Sequence, residues 1–409
     1  MLLRQDVVYK KSVVIVVQTH LRESEISLIH NMGYQIVYIK QNIDMDELIA
    51  IDFPYEVEQS NVEEVINLTK QLCEKFDVRR IFTLNEYYIP VVAQLAEECH
   101  IKYWGLKLEA AENCRHKIRA KEKFKENNTP SAKYVVIKSV REVLSVINQI
   151  EFPIVVKPSN ESGSKSVFIC KDMQELIDAV ECIEHTGSNF IGQKLDEEII
   201  VEEYLEGLEY SVESYTINNV HTIVAITSKK TFDCIEIGHM VPAILDKTER
   251  EAIETITKAA LTALDIDYGV THTEIKLTID GPKVIEVNGR PGGDHIDELV
   301  RAVTGLAMRE IALSIAMRGN LEDNQVYPIS ANSAAIAYAI ANKSGVVQIN
   351  DNEISEKNIE DVSLTVENGE YVERTTNNFN RLGYVIAYDE ENARKIAEEY
   401  IEKLQIQIV

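Results

Sequence analysis

Between Thr271 and Asp294 the chain reads THTEIKLTIDGPKVIEVNGRPGGD, which gathers the acids Glu274 and Glu286, the amide of Asn288 and Arg290 around one hairpin. Along a strand, side chains two residues apart share a face, so Glu286 and Asn288 point together and Ile285 and Val287 are expected to face the core. If Asp280, Gly281 and Pro282 form a three-residue loop, Glu274 falls opposite Asn288 and joins the polar face. A two-residue loop turns Glu274 away. Two carboxylates and an amide oxygen offer the hard oxygen surroundings that nucleotide-bound magnesium prefers. Arg290 adds a fixed cation beside them, and Pro291, Gly292, Gly293, Asp294 and His295 suit a turn whose backbone approaches an anionic ligand.

Two more stretches fit the same chemistry. Lys157 ends the apolar run PIVVK and precedes the polar loop Pro158 to Val167, in which Ser164 and its neighbours offer hydroxyls and backbone N–H groups to phosphates. Further on, IIVEEYLEGLEYSVE combines an apolar strand, whose backbone can pair with an adenine edge, with carboxylates at Glu202, Glu203 and Glu209. Glu209 is placed to accept from ribose hydroxyls.

The elements that must position these groups begin with an α/β module. Ser12–Gln18 is a β-branched run of the kind buried in parallel sheets, and 35–40 and 79–84 repeat it with helical stretches between. No G-x-G-x-x-G follows the first strand, which argues against a dinucleotide fold. Residues 108–127 read as one helix stopped by Thr129-Pro130. An α+β lobe follows, with strands at 134–137, 154–157 and 166–170 and helices at 140–149 and 172–185. Strands at 199–205, 209–218 and 221–230 open a second lobe, Asn218-Asn219 forming a tight turn. After the acidic hairpin, 296–318 reads as helix, then strands at 334–340 and 384–387 and a helix at 392–404. The expected division is 1–110, 111–198, 199–328 and 329–409.

A chain of 409 residues with 45% hydrophobic content supports two or three subdomains. Its formal charge of −25 repels phosphate backbones and anionic bilayers, so neither nucleic acid nor membrane is an expected partner. Six cysteines without a C-x-x-C pair fit reduced thiols, and with no secretory leader or 18-residue apolar stretch they place the chain in the cytoplasm.

In chain order, Lys117, Lys157 with its loop, E-E-Y-L-E-G-x-E, then Glu274, Glu286, Asn288 and Arg290 resemble the ATP-grasp superfamily over residues 110 to 320. The resemblance implies two lobes clasping ATP: Lys117 and Lys157 at its phosphates, residues 202 to 205, including Leu205, at adenine, and Glu209 at ribose. It assigns Glu274, Glu286 and Asn288 to magnesium, two ions with manganese an acceptable substitute. Residues 1 to 110 resemble the preATP-grasp α/β domain, and the layout is similar to the L-amino-acid ligases, which join free amino acids into dipeptides through an acylphosphate. Ile237-Gly-His-Met-Val-Pro and the form E-V-N-G-R-x-G-G-D-H favour that branch, with His239 near the acceptor substrate and Arg290 catalytic. Pocket walls are expected at Asn85-Glu86, His239 to Pro242 and Gly292 to His295. Ser166 departs from the family's phosphate loop, where a second glycine is common. The resemblance is compatible with a homodimer through the first domain. Carboxylases, ligases of non-amino-acid substrates and non-catalytic ATP-binding regulators are the alternatives.

Overall fold

Residues 10–146, 149–322, 325–349 and 357–409 are described by the computed structural model. The apolar run at the start becomes β1 (Ser12–Val17), wholly buried from Val13 to Val17. With β2 (Gln35–Lys40), β3 (Phe53–Glu56) and β4 (Asp77–Phe82) it forms a parallel sheet in the order β3-β2-β1-β4. Continuous β-branched sequence is what a sheet covered on both faces requires.

The helix expected over residues 108–127 is two helices, Leu108–Arg115 and Lys117–Glu126, broken at His116, whose backbone is extended (φ −107°, ψ 108°). The break is tertiary in origin. The Lys117 N–H donates to the Ser159 carbonyl at 3.0 Å, and the His116 ring is held by Asp196. The Lys117 side chain therefore emerges from the first turn of a helix at the edge of the cleft.

Four strands form the first lobe: β5 (Tyr134–Ile137), β6 (Ile154–Pro158), β7 (Phe168–Cys170) and β8 (Ile199–Glu203), in the order β5-β8-β6-β7. Helix Met173–Thr186, capped by Asp172, packs its apolar face on them. One expectation changes here. β8 was expected to open the second lobe, yet it lies between β5 and β6, so the crossing between lobes falls at residues 204–207.

The second lobe is antiparallel: β9 (Leu208–Ile217), β10 (Val220–Phe232), β11 (Ile235–Val241), β12 (Tyr268–Thr278), β13 (Gly281–Asn288) and β14 (Ser333–Ala339). Asn218 and Asn219 take φ of +52° and +62°, the left-handed pair of a two-residue hairpin turn. Beyond β14 come β15 (Gly345–Gln348), β16 (Ile359–Leu364), β17 (Tyr371–Val372), β18 (Gly383–Asp389) and β19 (Gln407–Ile408). The large sheet runs β13-β12-β9-β10-β11-β14-β18-β16, and β17-β15-β19 form a small one. Residues 296–318 form two helices rather than one, Ile296–Thr304 and Met308–Arg318, divided where Gly305 turns left-handed (φ +75°).

Candidate active site

The acidic hairpin closes differently from the expected form. Thr278 pairs with Gly281, so the loop is the two residues Ile279 and Asp280, not 280–282. Regular pairing from that turn sends Glu274 to the opposite face. A bulge at Ile285 prevents this: Ile275 pairs with Val284, Glu274 with Glu286, and His272 with Asn288. One extra residue thus places His272, Glu274, Glu286 and Asn288 on a single face. The bulge also corrects Ile285. Val284 and Val287 enter the core, while Ile285 is half-buried and lines the cleft beside Glu286.

The cation side is built by the first lobe. Lys117 Nζ lies 3.1 Å from Glu286 Oε2 and donates to the Glu161 carbonyl at 2.6 Å. Lys157, buried at the end of β6, sits 2.8 Å from Glu202 Oε2, and Lys121 holds the other oxygen of that carboxylate at 3.0 Å. Burial opposes the charge on Glu202, but the two ammonium groups win and push its carboxyl down to about 2. The Glu203 carboxylate accepts the Lys133 N–H and meets Lys283 at 3.0 Å. The side chains of Glu202 and Glu203 are therefore committed to the protein, and Leu205 lines the cleft beside them. Glu209 stands at the rim, 3.2 Å from both Lys229 and Lys276. In the loop between β6 and β7, Gly163, Ser164 and Ser166 take φ of +65°, +57° and +58°. Ser166 thus adopts the backbone expected of a glycine.

Several partners were not legible in the sequence. Lys229, buried in β10, lies 2.6 Å from Glu236, 2.7 Å from Glu274 and 3.2 Å from Glu209. Burial disfavours its charge, yet three carboxylates raise its ammonium well above the usual lysine value; against burial, Lys229 and His272 in turn hold Glu274 well below the usual carboxylate value. Arg290 is gripped by Glu86, with Nε and Nη2 at 3.0 and 2.6 Å from Oε2. Glu213, fully buried, accepts from His272 Nδ1 and from the Gly292 N–H at 2.9 Å, while His272 Nε2 faces Glu274 at 3.4 Å. Burial disfavours imidazolium at His272, but Glu213 and Glu274 raise it to about 9. A lone lysine in a wet strand and a glutamate among core residues carry no periodic signal; only the closed sheet reveals them.

Two expected pocket walls are in place: Glu86, Gly293 and Asp294 line a chamber with His272, Glu274, Glu286 and Arg290, continuous with the cleft at Ser162–Ser164. The third is not. His239 is 0% exposed inside β11, with Nε2 3.2 Å from Glu236 and 3.7 Å from Asp294. It stands behind those two carboxylates, with the ring of Tyr338 packed edge-on at 6.0 Å. Asp294 is in turn held by Arg381 at 2.6 and 2.9 Å.

The donor set fits magnesium. Glu274, Glu286 and Asn288 present hard oxygens on one face; a cation there would take the place of the contacts from Lys229 and Lys117 at 2.7 and 3.1 Å and from Asn288 Nδ2 to Glu286 at 3.0 Å. All six cysteines are free thiols, and among the described residues no helix is long and apolar enough to cross a membrane.

Comparison with known proteins bears on the fold that carries these residues. Residues 150–298 match the ATP-grasp domain and 326–409 match L-amino acid ligase C-terminal domain 2. Alanine–anticapsin ligase of Bacillus subtilis (strain 168) is 25% identical over 304 residues, 70% of this chain and 64% of that protein. D-alanine–D-alanine ligase of Pseudomonas fluorescens (strain Pf0-1) is 24% identical over 231 residues, 54% of this chain and 68% of that one. The chain therefore spans about two thirds of the length of these relatives. The crystal structure of an L-amino acid ligase from Bacillus licheniformis superposes with a TM-score of 0.78 at 20% identity, covering 98% of this chain and 99% of that one. With its two-lobed α/β and α+β fold, the chain carries an ATP-grasp domain over residues 150–298 and an L-amino acid ligase C-terminal domain over 326–409.

Proposed function

We propose that the protein is an ATP-dependent carboxylate–amine ligase that joins two L-amino acids into a dipeptide and releases ADP and phosphate. One observation carries the reading: Glu274, Glu286 and Asn288 share a face of the hairpin, against Lys117 and Lys229, with Arg290 held nearby by Glu86. A relative named for ligating alanine to anticapsin supports the substrate class.

In this reading Lys117, Lys157 and the backbone around Ser164 grip the phosphates, the backbone of 203–205 and Leu205 the base, and Glu209 the ribose. Glu274, Glu286 and Asn288 hold two magnesium ions, for which manganese substitutes; when bound, magnesium withdraws charge from the phosphate oxygens. A carboxylate cannot accept an amine directly, since oxide is too poor a leaving group. The first amino acid's carboxylate oxygen instead attacks the γ-phosphorus, breaking its bond to the oxygen that leaves with ADP. The second amino acid's nitrogen then attacks the acyl carbon, loses a proton and expels phosphate. The protein supplies no nucleophile: Arg290 and Lys157 stabilise the charge that develops on oxygen, and the lobes align the reactants. His239 acts through Glu236 and Asp294, as a positioning residue behind the chamber.

We further propose that residues 1–110 form a preATP-grasp unit and 329–409 a subdomain on the second lobe, with the protein working in the cytoplasm, where its thiols stay reduced. Substituting Glu286→Ala or Arg290→Ala is expected to abolish amino-acid-dependent ADP release while the far-ultraviolet circular dichroism stays native. Unaltered turnover refutes the assignment.

A further inference from the structure

Over the mouth of the chamber, the ring of Phe190 from the first lobe stacks on Phe379 from the C-terminal subdomain, with centroids 4.3 Å apart and planes 7° from parallel. Both rings remain about half exposed, at 51% and 53%. Phe379 also rests on the phosphate loop: a Cβ added to Gly163 would lie 2.5 Å from its ring carbons, so a larger residue there would push the ring away. The two sides of the stack are anchored differently. The turn carrying Phe379 is tied to the second lobe, since Asn378 Oδ1 accepts the Glu236 N–H at 3.0 Å and Arg381 grips Asp294. Phe190 belongs to the phosphate-loop side, where its own N–H meets Glu161 Oε1 at 3.4 Å and Tyr87 donates to the same oxygen at 2.7 Å.

From this geometry we infer that Phe379 is a positioning residue that latches the phosphate loop shut from the C-terminal subdomain, with Phe190 as its strike plate. The inference rests on the ligase reading for its purpose. While the loop is down, the acylphosphate meets only the amine; if it lifts, water attacks the acyl carbon instead, returning the free carboxylate and phosphate, and ATP is spent without product. An aromatic pair of this kind biases an open–closed equilibrium by about two- to tenfold.

The test follows hydrogen exchange of residues 159–166 in the full chain with magnesium and a non-hydrolysable ATP analogue, alongside the ratio of ADP to ligated product with ATP. For Phe379→Ala we expect exchange in 159–166 to rise by about two- to tenfold and the ADP-to-product ratio to climb above one. Phe190→Ala should do the same with no further increase in the double variant, and Phe379→Tyr should restore both readings. Exchange equal to wild type in both alanine variants overturns the latch, whatever the catalytic outcome. Increased exchange in a protein that releases no ADP with any amino-acid pair instead upholds the latch and rejects the ligase.

Discussion

At the scale of single residues, buried Lys229 makes the sharpest structural prediction. Its buried ammonium meets Glu209, Glu236 and Glu274 together, one positive charge against three carboxylates on the cavity wall. Removing one partner of a buried ionic cluster leaves uncompensated charge, so Lys229→Met should destabilise the protein by about 3–5 kcal/mol, read from denaturant midpoints. Added magnesium should recover part of that loss, because the cation replaces the missing charge beside Glu274. Equal loss with and without magnesium means that Glu274 does not hold the ion. Glu86→Gln is a milder test. It keeps the shape beside Arg290 but removes the charge that orients the guanidinium, and should lower kcat by about ten- to a hundredfold with little change in KM for ATP. A normal kcat in this variant separates Arg290 from the chemistry.

At the scale of elements, the break at His116 sets where Lys117 points. His116 bonds Asp196 and Glu112 at 2.8 and 3.1 Å, and these bonds outweigh burial and raise its imidazolium to about 9. A raised value means the folded state binds the proton more tightly. The stabilisation is therefore complete below the unfolded histidine value, about 6.5, and disappears as pH rises through about 9. Titration of the His116 ring by NMR should show that midpoint, and a midpoint near 6.5 removes the pair as the cause of the kink. The same break explains why residues 108–127 read as one helix. Propensity is continuous across LEAAENCRHKIRAKEKFKE, and what stops it is a bond to Ser159 and an ion pair with Asp196, both remote in sequence. Strand cores were legible because Val13 to Val17 need only be β-branched and buried. Hairpin register was not, since the single bulge at Ile285 reverses the consequence of loop length and leaves no mark on period-two alternation. The ligand types were readable from E-x-N and its arginine; their true cross-strand partners, Glu274 with Glu286 and His272 with Asn288, required the ladder.

At the scale of the whole molecule, the lobes and C-terminal subdomain enclose one continuous space from the cleft at Leu205 to the chamber at Arg290. A chain with net charge −25 sets Lys117 and Lys157 in the wall of that space and buries Lys121 and Lys229 against the carboxylates beside it, a concentration of positive charge that the proposed triphosphate site calls for. The measurement that bears most directly on this account is oxygen transfer. Amino acids labelled with 18O in the carboxylate are supplied singly and in pairs with ATP and magnesium, and the released phosphate is read by 31P NMR or mass spectrometry alongside the products. Attack of the carboxylate on the γ-phosphorus carries one labelled oxygen into each phosphate released with dipeptide. Dipeptide formed with unlabelled phosphate, or no amino-acid-dependent phosphate for any pair, contradicts it.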